Sequence, residues 1–207
     1  MPIANLSLFI SITFVVSASP GPVMLSCMNN GARLGIRQTW VGMLGASLGN
    51  IFLVILSAMG LGLIVNQNDL LFNFIKWTGA AYLVYLGIET IRKPLSLHLQ
   101  VTETSHTRAR TVGINGFLIA ISNPKGLIYF GALFPQFIDY QQPLATQFFI
   151  LTSVFLVTDL VWMLAYALAG NNIMHWLKKP VHQKWFNSLS GLLLMAAGLF
   201  MALSGKL

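Results

Sequence analysis

The sequence predicts an all-α membrane protein: six transmembrane helices forming two inverted three-helix repeats, with broken first and fourth helices. Three observations carry this. Of 207 residues, 56% are hydrophobic and only 8% charged, against roughly one-quarter charged in a soluble domain. So few charges cannot cover a water-facing surface. Apolar runs that reach the about 20 residues a helix needs to cross a bilayer recur along the whole chain. Two of those runs carry helix breakers at their middles.

Span one, near 3–28, is interrupted by "SASPGPVMLSC" (17–27), which sets Pro20, Gly21 and Pro22 inside a run apolar from Ile3 to Met28. Spans two and three follow near 40–65 and 70–91. Span four, near 112–137, contains "AISNPKGLIYFGALFPQFID" (120–139), with Asn123, Pro124, Lys125 and Gly126 in its middle. Spans five and six lie near 145–170 and 185–204. The longest connection, "RKPLSLHLQVTETSHTRAR" (92–110), is short and polar, so it links two halves (about 1–92 and 111–207) and is not a further domain. The whole chain reads as one transmembrane domain.

The net charge of +7 is distributed as topology, not as a nucleic-acid patch. Arg33 and Arg37 follow span one, Arg92, Lys93, Arg108 and Arg110 follow span three, and Lys178, Lys179 and Lys184 follow span five. The connections "NQND" and "DYQQP" hold no Lys or Arg. The positive-inside rule therefore places the basic connections in the cytoplasm and both termini outside the cytoplasmic membrane, an alternation that six spans satisfy. Lys206 votes the other way, and Lys76 is expected to snorkel to the outer interface. The N-terminus lacks a basic leader, so "SAS" before Pro20 reads as retained.

Three spans per half is an odd number, so the halves run in opposite directions. An inverted repeat with an interrupted first helix in each half points to a secondary transporter with its site near the midplane. A proline removes a backbone donor and displaces the carbonyl one turn earlier; in lipid these groups must be buried in protein or line a wet cavity. Freed carbonyls suit an ammonium and half-helix N-termini suit a carboxylate. Simple kinking is the rival reading of Pro20 alone, since Pro and Gly are common in membrane helices.

Asp159 stands near the centre of span five, "LTSVFLVTDLVWMLAYALAG" (151–170). A carboxylate at that depth costs about 2.5–3.5 kcal/mol on insertion scales, so it is expected to face the bundle interior and to hold a proton or an ammonium. Its counterpart in span two is Asn50, in "GMLGASLGNIFLV" (42–54), a neutral amide. One acid and one amide suit one cation. Lys125 is equally costly beside Pro124; it either neutralises Asp159, as a buried pair that only fixes packing, or receives a substrate carboxylate.

Other polar residues read as structural. Glu89 precedes Arg92 and Lys93 by helical spacing. His98, His106, His175 and His182 fall in connections without ligand spacing, and the single Cys27 excludes an internal disulfide, so neither metal nor cofactor is implied. Gly42, Gly45 and Gly49 form a small-residue ridge for close helix packing, or a sliding surface for a moving helix.

These residues resemble those of the LysE/RhtB family of bacterial amino-acid exporters. "SPGP" (19–22), "GARLGIRQTWVGMLGASLG" (31–49), "KWTGAAYLVYLGI" (76–88), "NPKGLIYFGALFPQFI" (123–138) and the acid-bearing fifth span appear in the family's order, from about Ser17 to the end. The resemblance implies a cytoplasmic-membrane exporter driven by the proton gradient, most similar to the homoserine, homoserine-lactone and threonine efflux branch. It maps the family's site onto Pro20, Gly21, Pro22, Asn123, Pro124, Lys125 and Asp159. Span two departs from members carrying an acid there, and Asn50 argues against a dibasic substrate such as lysine.

The expected partners are a small neutral amino acid or derivative, protons and the lipid bilayer, in a class that admits homo-oligomers. The alternatives are a passive channel or an exporter of another small metabolite. An intramembrane enzyme is disfavoured, because the spans hold no His-Glu-x-x-His, Ser/Lys or paired-carboxylate arrangement. A thiol-redox carrier or soft-metal exporter is disfavoured by the lone cysteine.

Overall fold

Breakers in the sequence set the helix boundaries. Ser19 is the last residue whose N–H bonds back into the first helix, and Pro22 then occupies the first position of the next, where a missing N–H costs nothing. In the computed structural model this gives α1 (Ile3–Ala18) and α2 (Pro22–Leu34), meeting at 55°. The same device recurs later. Asn123 caps the backbone N–H of Lys125 through its side chain at 3.1 Å, Pro124 follows, and α5 (Ala109–Ile121) meets the segment Pro124–Phe137 at 49°. That segment begins as α6 (Pro124–Ile128), passes through a π turn (Tyr129–Leu133) and ends in a 3-10 turn (Phe134–Phe137) containing Pro135.

Between and after the breaks run α3 (Ile36–Ile64), α4 (Asp69–Arg92), α7 (Leu144–Trp176) and α8 (Pro180–Leu203). Gly35 joins α2 to α3 at φ 76°, ψ 168°, a backbone region essentially reserved for glycine. The structure describes residues 3–64, 69–92, 108–139, 141–176 and 179–203, and every regular element among them is helical. The basic linker from 93 to 107, with His98 and His106, and Lys178 and Lys206 lie outside the described residues.

Among the described residues, three helices are long and apolar enough to cross a membrane, over Ile36–Met59, Leu144–Gly170 and Pro180–Leu203. Counting each bent pair as one span raises the number to five. Helix α4 is not among them; it carries Asp69, Lys76, Glu89 and Arg92 in 24 residues. One expectation changes. His175 and His182 stand within α7 and α8, because those helices run through what the sequence suggested was a connection and Pro180 opens the second. Lys76 is buried, with Nζ 5.6 Å from the ring centre of the exposed Trp77.

The principal helix pairs are α3 with α5, α2 with α7 and α4 with α8. Each is a glycine seam. A Cβ on Gly45 would fall on the Gly113 carbonyl and one on Gly116 on the Gly42 carbonyl. Gly31 and Gly170 likewise approach the Ala167 and Met28 carbonyls, and Gly87 and Gly191 approach each other's. The Gly42, Gly45 and Gly49 ridge thus serves close backbone packing, as small residues do where lipid supplies no hydrophobic drive. Side chains fill the remaining space as two cores. One is aromatic, built from Phe9, Tyr129, Phe130, Phe134, Phe137 and Phe155 with their neighbours. The other is smaller and sulfur-rich, around Met24, Cys27, Met28, Met43 and Met163.

Candidate functional site

Both breaks open onto one cavity. Its walls are Val16, Ser17, Gly21, Val23 and Met24 from the first break, Asn123, Lys125, Gly126 and Tyr129 from the second, Asn50 from α3, and Phe155 and Asp159 from α7. Val16, Tyr129 and Phe155 belong to the aromatic core and Val23 and Met24 to the sulfur-rich one, so the polar site divides the two. Its volume of about 20 Å³ holds about one water molecule. Anything as large as an amino acid enters only if the walls move.

Asp159 and Asn50 meet at the centre. Asn50 Nδ2 donates to Asp159 Oδ2 at 3.0 Å, and both residues are buried. Ser17 lines the same cavity beside Asp159. An amide thus solvates one oxygen of the acid, which leaves it able to bind a cation or a proton.

Lys125 does something the sequence did not foretell. Its ammonium donates to the Val16 carbonyl at 3.0 Å, the Ser19 carbonyl at 2.9 Å and the Ser19 hydroxyl at 3.3 Å. A lysine ammonium has three N–H donors, and all are accounted for by oxygens at the C-terminal end of α1. A direct pair with Asp159, one of the two roles open from the sequence, is absent among the described contacts; the two charges face the same cavity. A cation at a helix C-terminus is favoured by the helix dipole. Gly21 makes the approach possible, since a Cβ there would stand 3.3 Å from Lys125 Cε. The Tyr166 hydroxyl donates to the Ala18 carbonyl at 2.8 Å, and Ser19 Oγ donates to the Val16 carbonyl at 2.7 Å. The Val16, Ala18 and Ser19 carbonyls at the break are therefore satisfied by the chain itself.

Of the eight residues singled out from the sequence, Gly21, Asn50, Asn123, Lys125 and Asp159 line the cavity, while Pro20, Pro22 and Pro124 do not. The prolines shape the backbone and leave the contacts to their neighbours. Sequence reasoning passed over Ser17, Ser19, Tyr129 and Thr13. The hydroxyls of Thr13 and Tyr129 hydrogen-bond at 2.6 Å, tying α1 to the π turn, and the Tyr129 ring lies 5.0 Å from that of Phe155. A signal existed for each. Ser17 and Ser19 occupy the end of a helix about to break, and Tyr129 stands four residues after Lys125, on the same helical face.

The family model described as LysE type translocator matches residues 14–205. The chain is 33% identical to the homoserine/homoserine lactone efflux protein of Salmonella typhimurium, over 91% of each chain. It is 32% identical, again over 91% of each, to an uncharacterized membrane protein of Vibrio cholerae. It is 29% identical to the leucine efflux protein of Salmonella typhimurium, over 84% of this chain and 83% of that one. No solved structure matches the chain. A polar cavity walled by two broken helices, in a chain matched by the family model over nearly its whole length, has one conclusion: the protein belongs to the LysE type translocators and is a membrane transporter, not an enzyme.

Proposed function

We propose that the protein exports small neutral amino acids or their derivatives, of the homoserine, threonine and homoserine-lactone kind, across the bacterial cytoplasmic membrane by proton antiport. The observation that carries this is the Asn50–Asp159 pair at 3.0 Å, a single buried acid facing a cavity walled by both broken helices. One carboxylate balances one ammonium or one proton, so occupation by the two is mutually exclusive and inward proton flow drives outward substrate flow. The α2 N-terminus at Gly21–Val23 has no side-chain cap and faces the same cavity, offering backbone donors to a substrate carboxylate. The names of the Salmonella relatives support an amino-acid substrate, and Asn50 in place of a second acid favours a neutral one.

The membrane arrangement follows the same reading. Six spans form two inverted repeats (about 1–92 and 111–207) joined by a cytoplasmic linker, with both termini outside. The breaks after Ser19 and at Asn123 are the matching features, and the α3–α5 and α2–α7 pairs are the exchange such a repeat produces, first span of one half on second span of the other.

The test uses inverted membrane vesicles with an acid interior and labelled homoserine and threonine. Wild type accumulates label while the pH gradient lasts, and Asp159→Asn does not. Equilibration without accumulation would replace the antiporter by a passive channel, and undiminished accumulation by Asp159→Asn would remove Asp159 as the coupling group.

A further inference from the structure

Lys125 occupies a cage that fits a primary ammonium from any source. Two carbonyls and one hydroxyl, at 2.9–3.3 Å, match the three N–H donors of R–NH₃⁺. The cage is made by the break after α1, and the ammonium reaches it from the other break, across the cavity that Asp159 also faces. Ser19 is fully buried and Val16 nearly so, so the oxygens are oriented within protein. With room for about one water, the cavity admits a second ammonium only when Lys125 moves. The Lys125 stem runs over Gly21, the one cavity-lining residue of the first break that has no side chain to hold it in place.

We propose that the oxygen cage of Val16 and Ser19 is the substrate's ammonium subsite, and that Lys125 is a tethered stand-in which the substrate ammonium displaces. This deepens the export reading and rests on it. The displacing ammonium takes the lysine's place in the cage, on the cavity that Asp159 also faces, and the released lysine stays in the cavity as a partner for the substrate carboxylate. Selection is then for primary ammonium groups, because a quaternary nitrogen has no N–H to offer three acceptors.

Substitution of Lys125 by alanine removes a propylammonium unit and leaves the cage. In purified Lys125→Ala, n-propylammonium is expected to raise the thermal midpoint saturably, tetramethylammonium at the same concentration to leave it unchanged, and wild type to need at least about tenfold more propylammonium for the same rise. A Ser19→Ala/Lys125→Ala double variant should need more propylammonium for the same rise. Equal responses to propylammonium and tetramethylammonium would overturn the proposal. Should Lys125→Ala fail to fold, Lys125→Met keeps the bulk without the donors. It should bind threoninamide, which has the ammonium but no carboxylate, at least about tenfold more tightly than wild type, since a competitor present nine-tenths of the time weakens apparent affinity by that factor. Unchanged or weaker binding refutes the stand-in. Amine binding by these variants is read without transport, so it is independent of wild-type uptake: loss of uptake alone withdraws the export reading, and loss of amine selectivity alone withdraws the cage.

Discussion

Replacing Asn50 by alanine deletes one donor to a buried carboxylate and little else. Asn50 Nδ2 lies 3.0 Å from Asp159 Oδ2, and the residues are 5% and 6% exposed, so water does not readily replace the amide. Hydrogen bonds to charged groups contribute about 1.5–3 kcal/mol, which at 1.36 kcal/mol per decade corresponds to about 10- to 150-fold. If transport needs the ionised acid to receive a cation, Asn50→Ala loses that factor in gradient-driven uptake of labelled threonine by inverted vesicles, at matched protein levels. The double-mutant cycle is the stringent part. In an Asp159→Asn background the lost bond is between neutral amides, so binding of labelled substrate should weaken by less than about 10-fold on adding Asn50→Ala. If Asn50→Ala transports within a factor of two of wild type, or weakens binding equally in both backgrounds, the amide does not act through Asp159.

Other consequences concern packing. Gly116→Val forces α3 and α5 apart at a backbone-to-backbone contact and should lower stability by about 1–3 kcal/mol or more, read as a fall in thermal midpoint in detergent; Gly131→Ala, whose Cβ would meet nothing within 4 Å, is the matched control and should melt near wild type. Tyr129→Phe and Thr13→Val each delete the 2.6 Å hydroxyl contact. The aromatic change should cost about 0.5–1.5 kcal/mol, and the double variant should be little worse than the more damaging single one; additive losses would show that the two hydroxyls act separately.

Much of the fold was legible because membrane sequences are constrained harshly. Runs of apolar residues fix where helices run, and Pro20, Pro22 and Pro124 each forbid an ordinary helix turn, so both breaks could be read directly. The Asn50–Asp159 meeting was half legible: the depth of each could be estimated from its position in its span, but their hydrogen bond depends on the rotation of α3 and α7, which apolar runs do not encode. The Gly42, Gly45 and Gly49 ridge announced a close contact without naming its partner, because a seam is defined equally by Gly113 and Gly116 on the facing helix. Lys125 was read by charge, which suggested either Asp159 or a substrate carboxylate as its partner. The structure shows backbone oxygens taking that place, and backbone groups have no sequence letter. Helix ends misled in the opposite direction, since polar residues such as His175 and His182 were taken to mark a connection although α7 and α8 continue through them.

The glycine seams also determine how such a chain must assemble. Each principal pair joins a helix before residue 92 to one after residue 108: α3 to α5, α2 to α7 and α4 to α8. The early helices enter the bilayer with their small-residue faces unmatched and the oxygens behind Pro20 still waiting for residue 125. Insertion and packing are separable stages for membrane helices, and here the second cannot be completed until the last helix, Pro180–Leu203, has been made. The protein is therefore expected to mature as one cooperative unit: residues 1–92 expressed alone lack the native partner for each of the three seams, and co-synthesis with the rest of the chain is the expected way to restore them.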